Sequence, residues 1–207
     1  MPYLGNEVAP LVQALEGKEL KLDNDGDSSI QASTDDTVVF KTNGSNRWTL
    51  NSSGNLFPAS TSQGIVLGAT SDTSANRIDD YEEGTFNLTM VGGSSSPSST
   101  QTIASEYVKV GKLVSFRSFQ TGVNNAGASG HMYFTGIPFT PTGVCIVNVD
   151  LNGQATFSEG TPTGYLSGTI IYINQLRSNL GYNTVTHHTA YTSSAEYSFT
   201  GHFFTSA

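Results

Sequence analysis

From Glu19 to Ser71 the chain runs in short stretches of alternating apolar and polar residues, cut by turn residues about every ten positions. Glu19–Leu22, Ser28–Ser33, Thr37–Thr42 and Arg47–Asn51 read as strands, and Asp23–Asp27, Asp35–Asp36 and Ser52–Asn55 as turns. Asn43-Gly44 is the dipeptide that most favours a two-residue hairpin loop, because both residues tolerate a left-handed backbone. Gly64–Gly68 brackets the apolar trio Ile65, Val66 and Leu67. The spacing is too irregular for a true repeat.

From Gly84 onward the alternating stretches lengthen and become aromatic, with 16 of the 21 aromatic residues lying in 84–207. Thr85–Val91, Tyr107–Val110, Leu113–Gly122, His131–Gly136 and Val144–Leu151 read as strands. So do Gln154–Ser158, Tyr165–Asn174, Tyr182–Thr186 and Ala195–Phe203. About nine strands with turn signals between them predict a two-sheet sandwich or jelly roll. The Gly92–Thr100 run is an exposed loop between two of these strands rather than a linker. Pro10–Glu16 is the one helical stretch, with Leu11, Val12 and Leu15 on one side and Gly17 as its stop. Two turns of helix are not stable alone, so those apolar residues must dock on something.

The front strip is poor in large apolar residues. Between Asp23 and Pro58 they are Ile30, Val38, Val39, Phe40, Trp48, Leu50, Leu56 and Phe57, too few to cover hairpin faces and edges within one chain. Three copies wound about one axis would cover both. The expected architecture is therefore all-β: an N-terminal anchor over 1–22, an extended, intertwined, trimeric β shaft over 23–83, and an antiparallel β-sandwich or jelly-roll head over 84–207.

Charge sharpens that division. Residues 1–83 carry 13 of the 17 acids and 5 of the 9 bases, a balance of −8, whereas 84–207 carry 4 of each. An acidic, patchless chain argues against nucleic acid or an anionic membrane as partner, since both demand a basic surface. No apolar run approaches the roughly 20 residues of a membrane span. Met1–Pro10 lacks the basic start of a signal peptide, so synthesis in a cytoplasm is expected. Cys145, the single cysteine, excludes an internal disulfide and reads as a small hydrophobe within Val144–Val149.

Candidate chemistry is sparse. Asp23-Asn24-Asp25-Gly26-Asp27 invites a calcium-loop reading, but Gly falls at loop position four rather than six and Thr34 stands at position twelve where Glu is needed. An acidic turn is the better reading, with a cation shared between chains as the alternative. His187 and His188 are adjacent and point to opposite faces of a strand, and His131 and His202 are isolated. Glu106, Asp150, Glu159 and Glu196 are solitary carboxylates, so the paired acids of a glycosidase are missing. No nucleophile elbow, zinc-protease, phosphate-loop or dinucleotide motif occurs. We expect no catalysis, no cofactor and no metal.

One string is more specific. Asp79-Asp80-Tyr81-Glu82-Glu83-Gly84-Thr85-Phe86 resembles the "DDYEEGTW-T-P" junction that introduces C-terminal domains of many bacteriophage tail-fibre and virion structural proteins. Tyr107–Val114 is similar to that family's "Y-T-K-I-G-N-x-V", Phe134–Phe139 to its "I-T-G-L-P-F", and Phe199–Phe203 to its closing "F-S-G-T-Y". Upstream, Leu22–Ala32 and Arg47–Asn55 resemble shaft strings of the same proteins, and the six opening residues resemble starts of phage structural proteins. Phe86 in place of Trp and Asn87-Leu88 in place of Thr-Pro are departures that bear on packing of the first head strand.

The resemblance implies a virion fibre, assembled in the host cytoplasm as a homotrimer and released by lysis. Its N-terminus, with Tyr3, Leu4, Leu11, Val12 and Leu15, would dock on capsid, tail or adaptor proteins. Its head would meet a host-surface glycan or other receptor through loop aromatics and amides, for which Asn124, Tyr165, Tyr182, His187 and Tyr191 are the candidates. A capsid decoration or cement protein without receptor recognition is the alternative from a different class, and a small depolymerase a third.

Overall fold

The computed structural model describes residues 18–152, 161–177, 181–184 and 195–206. The helical reading of Pro10–Glu16 and the strand reading of Gln154–Ser158 lie outside them. All the regular structure described is β, apart from a single 3₁₀ turn at Ser74–Asn76. The chain forms two compact units, Met1–Asp79 and Asp80–Ala207.

In the front unit β1 (Leu20–Lys21), β2 (Ser29–Gln31), β3 (Val38–Thr42), β4 (Ser45–Leu50) and β5 (Leu56–Pro58) pair antiparallel in chain order as one sheet. β6 (Ile65–Val66) and β7 (Arg77–Ile78) form a second, two-stranded ladder. Leu20–Lys21, which the sequence reading placed in the anchor segment, thus belongs to the first sheet. Asn43 and Gly44 both take positive φ, 51° and 66°, and with Thr42 opposite Ser45 they make the two-residue hairpin loop expected.

Register puts most of the large apolar residues of this sheet on one face, with Val39 and Phe57 on the other. Leu20, Ile30, Phe40, Trp48 and Pro58 lie directly opposite one another in one row, and Val38, Leu50 and Leu56 in the next. The other face carries Lys41, which pairs with Glu19, and Ser29, whose hydroxyl also donates to that carboxylate (3.3 Å). Ser29 is the only buried residue among those described in this unit. Leu20, Phe40, Leu50 and Leu56 are 37–57% exposed, so among the described residues of this unit nothing covers the apolar face.

The second unit comprises β8 (Tyr81–Gly92), β9 (Thr102–Val110), β10 (Leu113–Val123), β11 (Met132–Thr135), β12 (Cys145–Asn152), β13 (Thr161–Ser167), β14 (Ile170–Arg177), β15 (Gly181–Thr184) and β16 (Ala195–Phe204). The order β11-β8-β9-β10-β16-β12-β13-β14 returns to β11, because β11 pairs with both β8 and β14. The result is a closed eight-stranded barrel with β15 added beside β14, which corrects the expected sandwich or jelly roll. Closure removes the free edges that two separate sheets would keep.

The barrel is filled rather than hollow. Leu88, Ile103, Val114, Phe134, Leu166, Ile171, Ile173, Tyr197 and Phe199 are at most 1% exposed and belong to one cluster. Phe134 of β11 meets Phe199 edge-on at 4.7 Å and Tyr197 at 6.0 Å, so the closing strand also supplies the central ring. Towards one end a second chain of rings runs Phe139, Tyr107, Phe86, Phe116, Phe203, at 5.0–6.4 Å between neighbours. Phe86, standing where the resembling family has Trp, is one link of it. Cys145 is half-buried and packs against the core from β12.

The single strand expected over Tyr165–Asn174 is two strands, β13 and β14. Ser167 lies opposite Ile170, and Gly168, at φ 57°, supplies the first position of the two-residue loop, where a positive φ is required. The Gly92–Thr100 run joins β8 to β9 as a loop. It is pinned by a bridge between Ser95 and Ser129, whose hydroxyls lie 2.7 Å apart.

Candidate functional site

On each barrel strand alternate side chains point outward, so register decides which outward residues become neighbours. Tyr133 of β11 lies opposite Tyr172 of β14, Tyr172 opposite Tyr165 of β13, and Tyr165 opposite Ile146 of β12. The Tyr165 and Tyr172 rings stack at 5.0 Å and 16°, and Tyr133 follows at 5.9 Å and 33°. His131 flanks Tyr172 at 5.8 Å, and its Nε2–H donates to the Ile173 carbonyl (3.0 Å), which fixes the ring. The outcome is a ladder of three tyrosines with an imidazole at its side.

Next to this ladder lies a cavity of about 300 Å³, walled by Val144, Ile146, Thr163, Tyr165 and Asn174. Thr163 and Asn174 are cross-strand partners. Asn174 Oδ1 is sealed from solvent and accepts no hydrogen bond from the described residues, so its carboxamide is not held by its oxygen. Ile146 also borders a wider depression of about 630 Å³ that extends over β8, β9, β10 and β16, with Ser115, Asn148 and His202 among its polar walls. Glu106 and Arg117 form an ion pair across it; both are largely exposed, and such a pair contributes little to stability. Aromatic faces beside hydroxyls and amides suit a polyhydroxylated ring with an apolar side.

Of the sequence-predicted contact residues, Tyr165 lies in this ladder. Asn124 sits in the loop after β10, where its Oδ1 accepts from Ala126 N–H (2.8 Å) and its own N–H donates to Gln101 Oε1 (2.9 Å). It shapes the loop. Tyr182 lies on β15 opposite Leu176. His187, Tyr191 and the anchor residues Tyr3, Leu4, Leu11, Val12 and Leu15 lie outside the described residues. Tyr133, Tyr172, His131 and Asn174 were missed. Alternation alone marks Tyr172 as outward, since its neighbours Ile171 and Ile173 are buried.

In the front unit Asp23, Asp25 and Asp27 bring carboxylate oxygens within 4.8 Å of one another at a turn that Gly26 makes with φ 77°. Ser28 holds the Asp23 carboxyl below its usual range, first through its hydroxyl and then through its N–H, which donates at 3.1 Å. The Lys41 ammonium does the same for Glu19 by a hydrogen bond. Asp72, 2.6 Å from Arg77, pushes that guanidinium further up. These are exposed polar networks that order turns. Among the described residues no helix is long and apolar enough to cross a membrane.

No protein-family model matches the chain, and no curated protein matches it.

Proposed function

We propose that this chain is a bacteriophage virion fibre protein that works by contact rather than by catalysis. It is a homotrimer: residues 1–22 dock on the particle, 23–83 form the shaft, and the barrel meets a glycan on the host surface. The observation that carries the reading is the uncovered apolar face of the front sheet. A sheet with one greasy face needs a second layer, and three copies about an axis supply it. The tyrosine ladder with its adjoining amide and hydroxyl supports the attachment role, because weak stacking contacts repeated three times give avidity. The resemblance of the junction string supports the virion assignment.

Light scattering on the purified full chain is the first test, with a mass three times 21.9 kDa expected; a folded monomer refutes the fibre. The second is competition, in which excess protein blocks adsorption of the parent phage and Tyr172→Ala weakens the block without altering the mass. Undiminished adsorption at saturating protein removes the receptor role.

A further inference from the structure

The cavity beside the tyrosine ladder has walls of three kinds in a fixed order. Register sets Ile146 of β12 opposite Tyr165 of β13 and Thr163 of β13 opposite Asn174 of β14, and Val144 stands two residues before Ile146. The wall therefore passes from aliphatic, at Val144 and Ile146, through the Tyr165 ring to a hydroxyl and a carboxamide. Val144 and Ile146 are 67% and 62% exposed, so the aliphatic end is open to whatever enters. Tyr172 covers one face of the Tyr165 ring, nearly parallel to it at 5.0 Å, which leaves the other face turned towards β12 and the cavity. Among the described residues no charged side chain lines this space.

These walls set three conditions on an occupant. Asn174 Oδ1 is sealed from solvent and has no hydrogen-bond donor among the described residues, and a buried acceptor left without a donor is costly. No hydrogen bond holds that oxygen in place, and the terminal torsion of Asn is broad. A modest turn therefore brings it to the cavity wall, where a ligand N–H or O–H supplies the missing bond. The absence of charge sets the second condition, because a carboxylate, phosphate or ammonium would leave water and find no counter-charge. The aliphatic end sets the third, an apolar group close to the donor.

We propose that this cavity takes the acetamido group of a 2-acetamido sugar. The proposal rests on the glycan reading above and names the class of sugar. The acetamido group meets all three conditions at once: its N–H donates to Asn174 Oδ1, it carries no charge, and its methyl lies against Val144 and Ile146. The sugar ring stacks by its apolar side on the free face of Tyr165. The Thr163 hydroxyl, cross-strand neighbour of Asn174, donates to the acetamido carbonyl. A plain hexose brings the donor without the methyl, and a 6-deoxy sugar brings the methyl without the amide, so each leaves one wall unmet and binds less well.

The test is saturation-transfer NMR on the full chain with matched methyl glycosides. The pairs are N-acetylglucosamine with glucose, N-acetylgalactosamine with galactose and N-acetylmannosamine with mannose, and rhamnose serves as the 6-deoxy sugar. At least one acetamido member is expected to bind about tenfold more tightly than its hexose partner, with the strongest saturation on its acetyl methyl. Asn174→Leu and Ile146→Ser are each expected to remove that preference; the second lies at a position exposed enough to leave the barrel folded. Tyr165→Ala is expected to weaken both members of a pair alike. Equal binding within every pair, or tightest binding by rhamnose, overturns the acetamido assignment and leaves the glycan reading standing. A preference that survives both variants overturns the choice of this cavity. Saturation of none of the sugars overturns the assignment, and the block of phage adsorption by the same protein then reads the receptor role separately.

Discussion

Phe134→Ala tests the closed barrel. Phe134 is fully buried and sits on β11, the four-residue strand that closes the sheet, with Phe199 at 4.7 Å and Tyr197 at 6.0 Å. Removing a buried Phe costs about 3–5 kcal/mol through lost transfer energy and the cavity left behind, which is a large share of a domain's roughly 5–15 kcal/mol. With a urea slope of about 2 kcal/mol per molar, the midpoint falls by about 2 M. The assay separates the units, because Trp48 is the only tryptophan and lies in the front sheet, whereas near-ultraviolet dichroism of the tyrosines follows the barrel. The barrel transition is expected to shift while Trp48 emission keeps its midpoint. A shift under about 1 kcal/mol refutes the central placement of this ring, and a joint shift of both signals refutes the independent unfolding of the two units.

Asp80→Asn leaves the ammonium of Lys109, a residue only 7% exposed, without its charged partner. Because Asp80 is itself about half exposed, the expected loss is about 2 kcal/mol, below the cost of breaking a fully buried pair, read from barrel unfolding. Glu19 and Asp23 have folded pKa values below their ordinary ones, so their contribution is complete above the unfolded values and disappears as pH falls through the folded ones. The Trp48 transition is thus expected to weaken as pH drops below about 4.3, and Lys41→Met to flatten that dependence. Gly136→Ala meets the Asn87 carbonyl oxygen at 2.3 Å with φ at 115° and should cost the barrel several kcal/mol. Gly44→Ala, with φ 66° and open space around it, should cost the front unit about 1 kcal/mol.

Much of the strand pattern is legible in the sequence because alternation and turn chemistry are local. The Asn43-Gly44 loop, the β10 and β16 strands and the aromatic richness of the barrel all follow from neighbouring residues. The break at Gly168 does not, because a lone glycine inside the apolar run from Tyr165 to Asn174 carries no Asn or Asp beside it to announce a turn. A barrel and a sandwich share the same inward-outward alternation, and only the double pairing of Met132–Thr135 distinguishes them. The tyrosine ladder depends on register between strands some 40 residues apart in sequence, a long-range property that no local pattern encodes. Tyr165 is legible as a polar aromatic near a likely loop and Tyr172 as outward by alternation; that they and Tyr133 stand side by side is not.

The exposed apolar face of the front sheet poses a physical problem for any association of copies. The front sheet sits in a segment with a net charge of −8, so copies that bring its faces together also bring their carboxylates together. The sheet keeps the two apart, with Glu19, Ser29 and Lys41 on the face opposite the Phe40 and Trp48 row and the aspartates of 23–27 at a turn. Apolar burial acts at contact, whereas repulsion between exposed charges fades over about 10 Å at ordinary salt. An arrangement with apolar rows inward and acidic turns outward therefore gains most of the burial and little of the repulsion.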